Sequence, residues 1–264
     1  MTDYKAIVYT LDNGVAWVTM NRPEQRNAVN AEMREELIAV FTAARTDAAI
    51  RALVLTGSGK GFCTGADLSG PRGQGPSGPG AGRELMKGSS QRLIRALWEL
   101  EKPVVAAVNG VAAGLGSHLA FASDFVIAVS DARFIEVFVR RGIAVDAAGA
   151  FLLPRLIGLQ AAKRLVFFGD DLSANEALQL GLASKVVPAD QLQATAREWA
   201  EKLAQGPTFA IGMSKRLLNR SLESSFDTAL EEEAMAQMLV TQSDDTKEGM
   251  LAFMERRAPK FKGN

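Results

Sequence analysis

The sequence predicts an α/β fold in which a core of strands and helices precedes a helical tail. Apolar β-runs alternate with amphipathic helical segments up to residue 129, which is typical of an α/β core. Glycine-rich turns follow two of those runs, and after Ala147 the pattern is almost wholly helical. We therefore predict a core over residues 1–200 and a helical region over residues 201–264.

The predicted elements follow from hydrophobic periodicity and turn signals. Tyr4–Thr10 and Val15–Met20 are predicted to pair as strands around the turn Asp12-Asn13-Gly14. Asn30 is placed to cap a helix over Ala31–Arg45, where apolar residues recur at helical spacing. The other predicted core elements are strands over Arg51–Thr56, Val104–Val108, Phe125–Val129 and Ser184–Val187, and helices over Glu84–Leu100 and Leu115–Ala122. Later helices are predicted over residues 147–157, 160–168, 174–180, 190–204, 208–221, 226–241 and 244–256.

The composition argues against several classes of protein. Lys+Arg and Asp+Glu number 30 each, so the charge balance gives no sign of a nucleic-acid or anionic-membrane partner. No signal peptide or transmembrane run is recognisable, and we predict a cytoplasmic protein. The single cysteine, Cys63, and the single histidine, His118, exclude an internal disulfide and a cysteine- or histidine-rich metal site.

Two glycine turns indicate the chemistry. Asn109–His118 follows the run Pro103–Val108 and opens an apolar helix, so free backbone N–H groups lie at the positive end of a helix dipole. A second turn, Gly61–Asp67, also follows a strand. Two such turns can direct two N–H groups at one oxygen. This arrangement predicts an oxyanion hole and a reaction through an enolate or a tetrahedral oxyanion.

Four segments in order carry a resemblance to a known family: Asn21–Ala28, Gly61–Leu68, Asn109–Gly116 and Ser123–Ala128. With them the chain resembles the crotonase (enoyl-CoA hydratase/isomerase) superfamily along nearly its whole length. Further segments resemble the branch of ring-1,2-epoxyphenylacetyl-CoA isomerases. These are Gly149–Arg155, Gly206–Phe209, Lys247–Phe253 and Ala258–Gly263.

The resemblance implies a spiral of ββα units with a helical C-terminal trimerisation region, as a homotrimer or a dimer of trimers. It implies an acyl-CoA substrate and no separate cofactor, because coenzyme A enters as part of the thioester. The N–H groups of Ala66 and Leu115 would bind the thioester oxygen. The residues implied to hold coenzyme A are Arg26, Ala28, Lys60, Ala66, Leu68 and Lys262, the two lysines as charges for its phosphates.

The resemblance also identifies the positions at which hydratases carry two catalytic glutamates. Here these positions hold His118 and Phe138. His118 suits proton transfer at neutral pH, lining of the acyl pocket, or a purely structural role. Phe138 cannot move a proton. Glu136 lies two residues away with the same strand parity and would replace it only through a local slip of two residues.

Asp146 lies four residues after Gly142, where the family's isomerases carry an aspartate that moves the proton and its aryl-CoA dehalogenase carries a nucleophile. The alternative is that Asp146 only caps a helix that begins at Ala147. We predict an isomerase with Asp146 as proton shuttle and a raised pKa. A hydratase using His118 with Asp146 or Glu136, a hydrolytic or dehalogenating enzyme, and a non-catalytic coenzyme A-binding homologue stay open. The loop 69–82 is either a lid or a surface loop.

Overall fold

A computed structural model describes residues 4–69 and 80–264 and confirms an α/β core followed by a helical region. The strands are β1 Ile7–Asp12, β2 Val15–Met20, β3 Ala52–Gly57, β4 Val104–Val108, β5 Val111–Ala113, β6 Phe125–Val129, β7 Arg133–Ile135, β8 Asp171–Ser173 and β9 Lys185–Val187. The helices are α1 Ala31–Ala44, α2 Ala81–Gly88, α3 Ser90–Trp98, α4 Leu115–Phe121, α5 Gly149–Phe168, α6 Ala174–Gln179, α7 Leu192–Ala204, α8 Thr208–Ser221, α9 Phe226–Val240 and α10 Asp244–Met254.

The larger sheet has the strand order β1-β2-β3-β4-β6-β9. β1 and β2 are antiparallel, and every later pair is parallel. All five residues of β4 are buried, as expected for a parallel strand covered on both faces. Parallel β3 and β4 end at the same edge of the sheet, so the two glycine turns that follow them start close together.

A smaller sheet with the order β5-β7-β8 was not predicted from the sequence. Each of its strands is only three residues long, and β5 lies inside the segment that reads as a glycine turn. A run of three residues carries too little alternation to identify a strand. The parallel pairing of β5 with β7 brings the start of α4 next to the segment after residue 135.

Several helix predictions hold and one is wrong. The Asn30 side chain accepts from the Met33 N–H at 2.9 Å and caps α1 as predicted. The predicted helix over Glu84–Leu100 is instead two helices, because Ser89 leaves the helical region with φ −112° and ψ −108°. The predicted break near residue 158 is present as a kink inside α5, where Gly158 has φ 76°.

A nearly buried ion pair joins the C-terminal helices to the core. The Lys215 Nζ atom on α8 lies 2.8 Å from an Asp124 carboxylate oxygen and donates to the Lys102 carbonyl. The same Asp124 oxygen accepts from the first residue of β4. Such a pair is costly to break from one side, since the remaining charge would be left without a partner. The predicted division at residue 200 falls inside α7 and stays a prediction.

The surface of the described subunit carries large apolar side chains on the C-terminal helices. Phe226 is 77% exposed and Phe253 is 81% exposed. Across residues 4–69 and 80–264, no helix combines the length and the apolarity needed to cross a bilayer. Most of the predicted loop 69–82 lies outside the described residues, although α2 already begins at Ala81.

Candidate active site

The two glycine turns are held together by direct backbone contacts. The Cys63 carbonyl accepts from the Ala113 N–H at 2.9 Å, and the Cys63 N–H donates to the Val111 carbonyl at 3.1 Å. Gly116, on the first turn of α4, lies so close that a Cβ atom there would overlap the Cys63 carbonyl oxygen. The start of α4 is therefore fixed against the segment that follows β3.

This contact brings two free N–H groups into the same region. Val29 pairs with the second turn by donating to the Gly65 carbonyl at 2.8 Å and accepting from Asp67 at 2.9 Å, which leaves the Ala66 N–H free. Leu115 is the first residue of α4, and a Cβ atom at Gly65 would lie 3.6 Å from its nitrogen. Among the described residues, neither the Ala66 nor the Leu115 N–H meets a protein acceptor. The two N–H groups are thus unbonded and on neighbouring segments, and their oxyanion role stays a prediction.

An ion pair supports the second turn, Gly61–Asp67. The Arg22 Nη1 atom lies 2.7 Å from an Asp67 carboxylate oxygen, and the Asp67 carboxylate also accepts from the Ser69 hydroxyl and N–H. These hydrogen bonds, those from Ser69 first, lower the pKa of Asp67 to about 2. Asp67 is thus ionised at neutral pH. Sequence reasoning missed Arg22, because nothing in a single sequence connects two residues that lie 45 positions apart.

The residues implied to hold coenzyme A fall into two places. Arg26 accepts from the Thr64 N–H at 3.2 Å, and Ala28, Ala66 and the exposed Leu68 lie on the same paired segments. Exposed Lys60 follows the carboxyl end of β3 and belongs to the same edge of the sheet.

Lys262 lies at the opposite end of β3. Its N–H donates to Asp245 at 2.6 Å, and the neighbouring Phe261 carbonyl accepts from Arg51, the residue before β3. A six-residue strand is about 20 Å long. Within one subunit the structure therefore does not bring Lys262 to Lys60, and its phosphate role stays a prediction.

His118 is fully buried on α4, one helical turn after Leu115. Its Nε2 atom lies 3.1 Å from a carboxylate oxygen of Glu136, which is 4% exposed. The Phe138 ring is stacked on the imidazole at 5.6 Å between ring centres. Glu136 is thus the hydrogen-bond partner of His118, and it does not replace Phe138, which lies beside the imidazole ring. The strand parity expected for Glu136 and Phe138 is absent, because β7 ends at Ile135.

The buried pair is not fully satisfied. Among the described residues, His118 Nδ1 and the second Glu136 carboxylate oxygen, Oε1, have no hydrogen-bond partner. Buried polar atoms without partners are rare, and each calls for an explanation. The His118–Glu136 pair is therefore not explained by packing of the core alone.

Asp146 lies on the partly buried segment between Gly142 and α5. Burial raises the pKa of its carboxyl group; the neighbouring His118 lowers it and Glu136 raises it. No hydrogen bond to the Asp146 carboxylate is formed by any described residue. The helix-cap alternative is wrong: α5 begins at Gly149, its cap residue is Ala148, and no side chain caps it. Asp146 is left as a carboxylate available for proton transfer.

A cavity of about 790 Å³ opens beside this segment, between α3, α5 and α8. Ala148, Trp98 and Phe151 line its apolar side, and charged residues of α8 line the other. Ala66, Leu115 and Asp146 are absent from its lining, so this cavity does not contain the candidate reacting centre.

Comparisons with known proteins show the family of the chain and its fold. A sequence model of the family described as enoyl-CoA hydratase/isomerase matches residues 10–264. The chain is 40% identical over 258 residues to the 1,2-epoxyphenylacetyl-CoA isomerase of Escherichia coli, covering 97% of this chain and 98% of that protein. It is 38% identical over 255 residues to the short-chain-enoyl-CoA hydratase of Clostridium acetobutylicum, covering 95% of each. The solved structure of an enoyl-CoA hydratase/isomerase from Cupriavidus metallidurans has a TM-score of 0.93 at 36% identity, covering 100% of this chain and 98% of that one. The similar proteins carry both isomerase and hydratase names.

The close approach of Gly116 to Cys63 gives a test of the contact between the turns. Gly116→Ala places a methyl group against a backbone carbonyl that cannot move away easily, and we expect it to destabilise the protein by about 2–3 kcal/mol. Urea unfolding measures this loss. Gly88→Ala is the matched control, because nothing lies within 4 Å of the added atom. Equal free energies of unfolding for Gly116→Ala and Gly88→Ala would contradict the close contact between Gly116 and the Cys63 carbonyl.

Proposed function

The chain belongs to the enoyl-CoA hydratase/isomerase family, and we propose that it isomerises an unsaturated acyl-CoA through a thioester enolate. The resemblance in the sequence and the crotonase-type fold are both confirmed. The single observation that carries the choice of reaction is Asp146, a partly buried carboxylate with a raised pKa and no hydrogen bond from a described residue. Coenzyme A enters as part of the substrate, and the proposal needs no metal or redox cofactor.

The proposed enolate is stabilised by the N–H groups of Ala66 and Leu115. Both are backbone donors, fixed by the pairing of Gly65 with Val29 and by the start of α4. Donors that are already in place need no reorganisation when negative charge develops on the thioester oxygen. Each such donor typically contributes about 3 kcal/mol of transition-state stabilisation.

In this proposal, Asp146 moves the proton. Its carboxylate takes a proton from one carbon of the acyl chain, which forms the enolate, and returns that proton to another carbon. The double bond, or a strained ring, is reorganised without net addition of water. A raised pKa suits this cycle, because a more basic carboxylate removes the proton from carbon more readily and its acid form can return it.

Asp146→Asn is expected to lower the isomerisation of a 3-enoyl-CoA at least about a hundredfold, because an amide cannot act as the base. The assay runs in deuterated water with crotonyl-CoA and phenylacetyl-CoA epoxide as further substrates, and mass spectrometry measures isomerised product and deuterium. Asp131→Asn, on the exposed surface, is the matched control and should keep the wild-type rate. Wild-type turnover by Asp146→Asn would reject the proton-shuttle role.

The raised pKa of Asp146 also predicts the pH dependence. The base must be ionised, so kcat/KM should fall as the pH drops through the pKa of Asp146. Because burial raises that pKa, the acid limb should lie above the usual aspartate value of about 3.9. Assays at neutral pH after incubation at each acid pH exclude loss through unfolding. A limb at or below the usual aspartate value would contradict the assignment.

A hydratase is the second candidate, and the His118–Glu136 pair favours it. The pair supplies two titratable groups near the hydratase positions, although Phe138 occupies the second of them. The same assay separates the two reactions. A 3-hydroxyacyl product that survives Asp146→Asn and is lost in His118→Ala would establish the hydratase.

Two further alternatives have their own outcomes. A dehalogenating or hydrolytic enzyme would form a covalent intermediate on Asp146, which single turnover in ¹⁸O-labelled water would mark on that carboxylate. A non-catalytic coenzyme A-binding homologue would turn over no thioester at all.

The exposed apolar side chains of the C-terminal helices support the assembly of three subunits or of two such trimers. Phe226 and Phe253 remain largely exposed in the single subunit, and an apolar surface of this kind typically marks an interface. Light scattering should give three or six times the subunit mass of 28.2 kDa. A monomeric mass at micromolar concentration would reject the assembly. The other exposed apolar residues of α8, α9 and α10 are Leu218, Leu230, Met235, Met238, Leu239, Met250, Leu251 and Met254.

A further inference from the structure

The isomerisation proposed above makes no direct use of Glu136. Its carboxylate is nearly inaccessible and holds the Nε2 atom of fully buried His118 at 3.1 Å. Burying a carboxylate destabilises the folded protein unless a hydrogen-bond or ionic partner compensates for the lost hydration. A pair that neither reaches solvent nor fills an apolar space points to a positioning role.

The Cε1–Nε2 edge of the His118 ring also meets the segment that follows Asp146. A Cβ atom added at Gly149 would overlap the Cε1 atom of the imidazole and would lie 2.5 Å from both Nε2 and a Val145 methyl group. Gly149 also donates its N–H to the Asp146 carbonyl at 2.8 Å. The imidazole therefore packs directly against the turn that presents Asp146.

This turn is strained. Ala147 has φ 46° and Ala148 has φ 65°, so two consecutive residues with Cβ atoms adopt the left-handed region. A residue with a Cβ atom is strained in this region and persists there only where the surroundings hold it. Two in succession beside a titratable carboxylate indicate that the direction of Asp146 is imposed by its neighbours.

We propose that Glu136 is a positioning residue, which holds the His118 ring so that the ring in turn holds the strained turn bearing Asp146. Glu136 fixes the imidazole through Nε2, and the ring packs against Gly149, three residues after the carboxylate. This inference rests on the proposed isomerase function. In it, His118 and Glu136 transfer no proton to or from the substrate.

The test compares the kcat and KM of Glu136→Ala, Glu136→Gln, His118→Ala and the double variant Glu136→Ala/His118→Ala, with a 3-enoyl-CoA as substrate. Glu136→Ala should lower kcat about tenfold and leave KM within about twofold, because the coenzyme A segments lie elsewhere. Glu136→Gln keeps an oxygen that accepts from Nε2 and should restore kcat to within about threefold of wild type. The double variant should match His118→Ala, because Glu136 acts only through the ring.

A second cycle does not depend on how Glu136 variants fold. Gly149→Ala should lower kcat by displacing the ring or the turn, and His118→Ala/Gly149→Ala should be faster than Gly149→Ala because the overlap with the ring is then removed and only the contact with Val145 remains. Circular dichroism and thermal unfolding confirm that each variant is folded at the assay temperature. Gly88→Ala serves as the control for a glycine substitution in open space.

Three results would overturn the inference. These are a wild-type kcat for Glu136→Ala, an equal loss in Glu136→Gln and Glu136→Ala, or no gain in the Gly149 cycle when the ring is removed. An equal loss in the two Glu136 variants would mean that Glu136 itself transfers protons. Asp146→Asn, measured in parallel, distinguishes failure of the proposed isomerase function from failure of the positioning role of Glu136. Retained isomerisation there rejects the proposed function, whereas its loss beside a fully active Glu136→Ala rejects only the positioning role.

Discussion

The rest of the candidate site depends on the backbone contact between the segment after β3 and the start of α4. That contact exists because β3 and β4 are parallel neighbours whose carboxyl ends share one edge. It requires glycine at residue 116, since any larger residue would meet the Cys63 carbonyl. The proposed oxyanion hole uses only the backbone N–H groups of Ala66 and Leu115, so their side chains need no special chemistry. The backbone pairing determines where these N–H groups lie.

The turn that carries Asp146 contains features that destabilise the folded protein. Ala147 and Ala148 have left-handed backbone angles, and the Asp146 carboxylate is partly buried with no hydrogen bond from a described residue. Sites with function commonly hold strain that the surrounding structure compensates. Here the turn packs against the buried imidazole of His118, which meets Gly149 just after the two strained residues.

Much of this arrangement could be predicted from the sequence, and the failures have physical causes. Apolar runs bounded by turn signals gave the long strands, and Asn30 gave the start of α1. The break at Ser89 escaped prediction because the amphipathic pattern continues across it. Contacts between distant segments, such as Arg22 with Asp67, leave no periodic signal. The pairing of Glu136 with His118 depends on β5 lying beside β7, and strands of three residues are too short to recognise.

The environment of Phe138 bears on the choice between isomerisation and hydration. The addition of water to a double bond needs one group to activate the water and another to protonate the carbon. At the second of the two hydratase glutamate positions, the phenyl ring of Phe138 lies against His118. Both side chains are buried. Asp146 is partly accessible. In the proposed isomerisation it takes up a proton and returns it, while the N–H groups of Ala66 and Leu115 stabilise the enolate. A hydratase would additionally have to bring water to the buried His118–Glu136 pair.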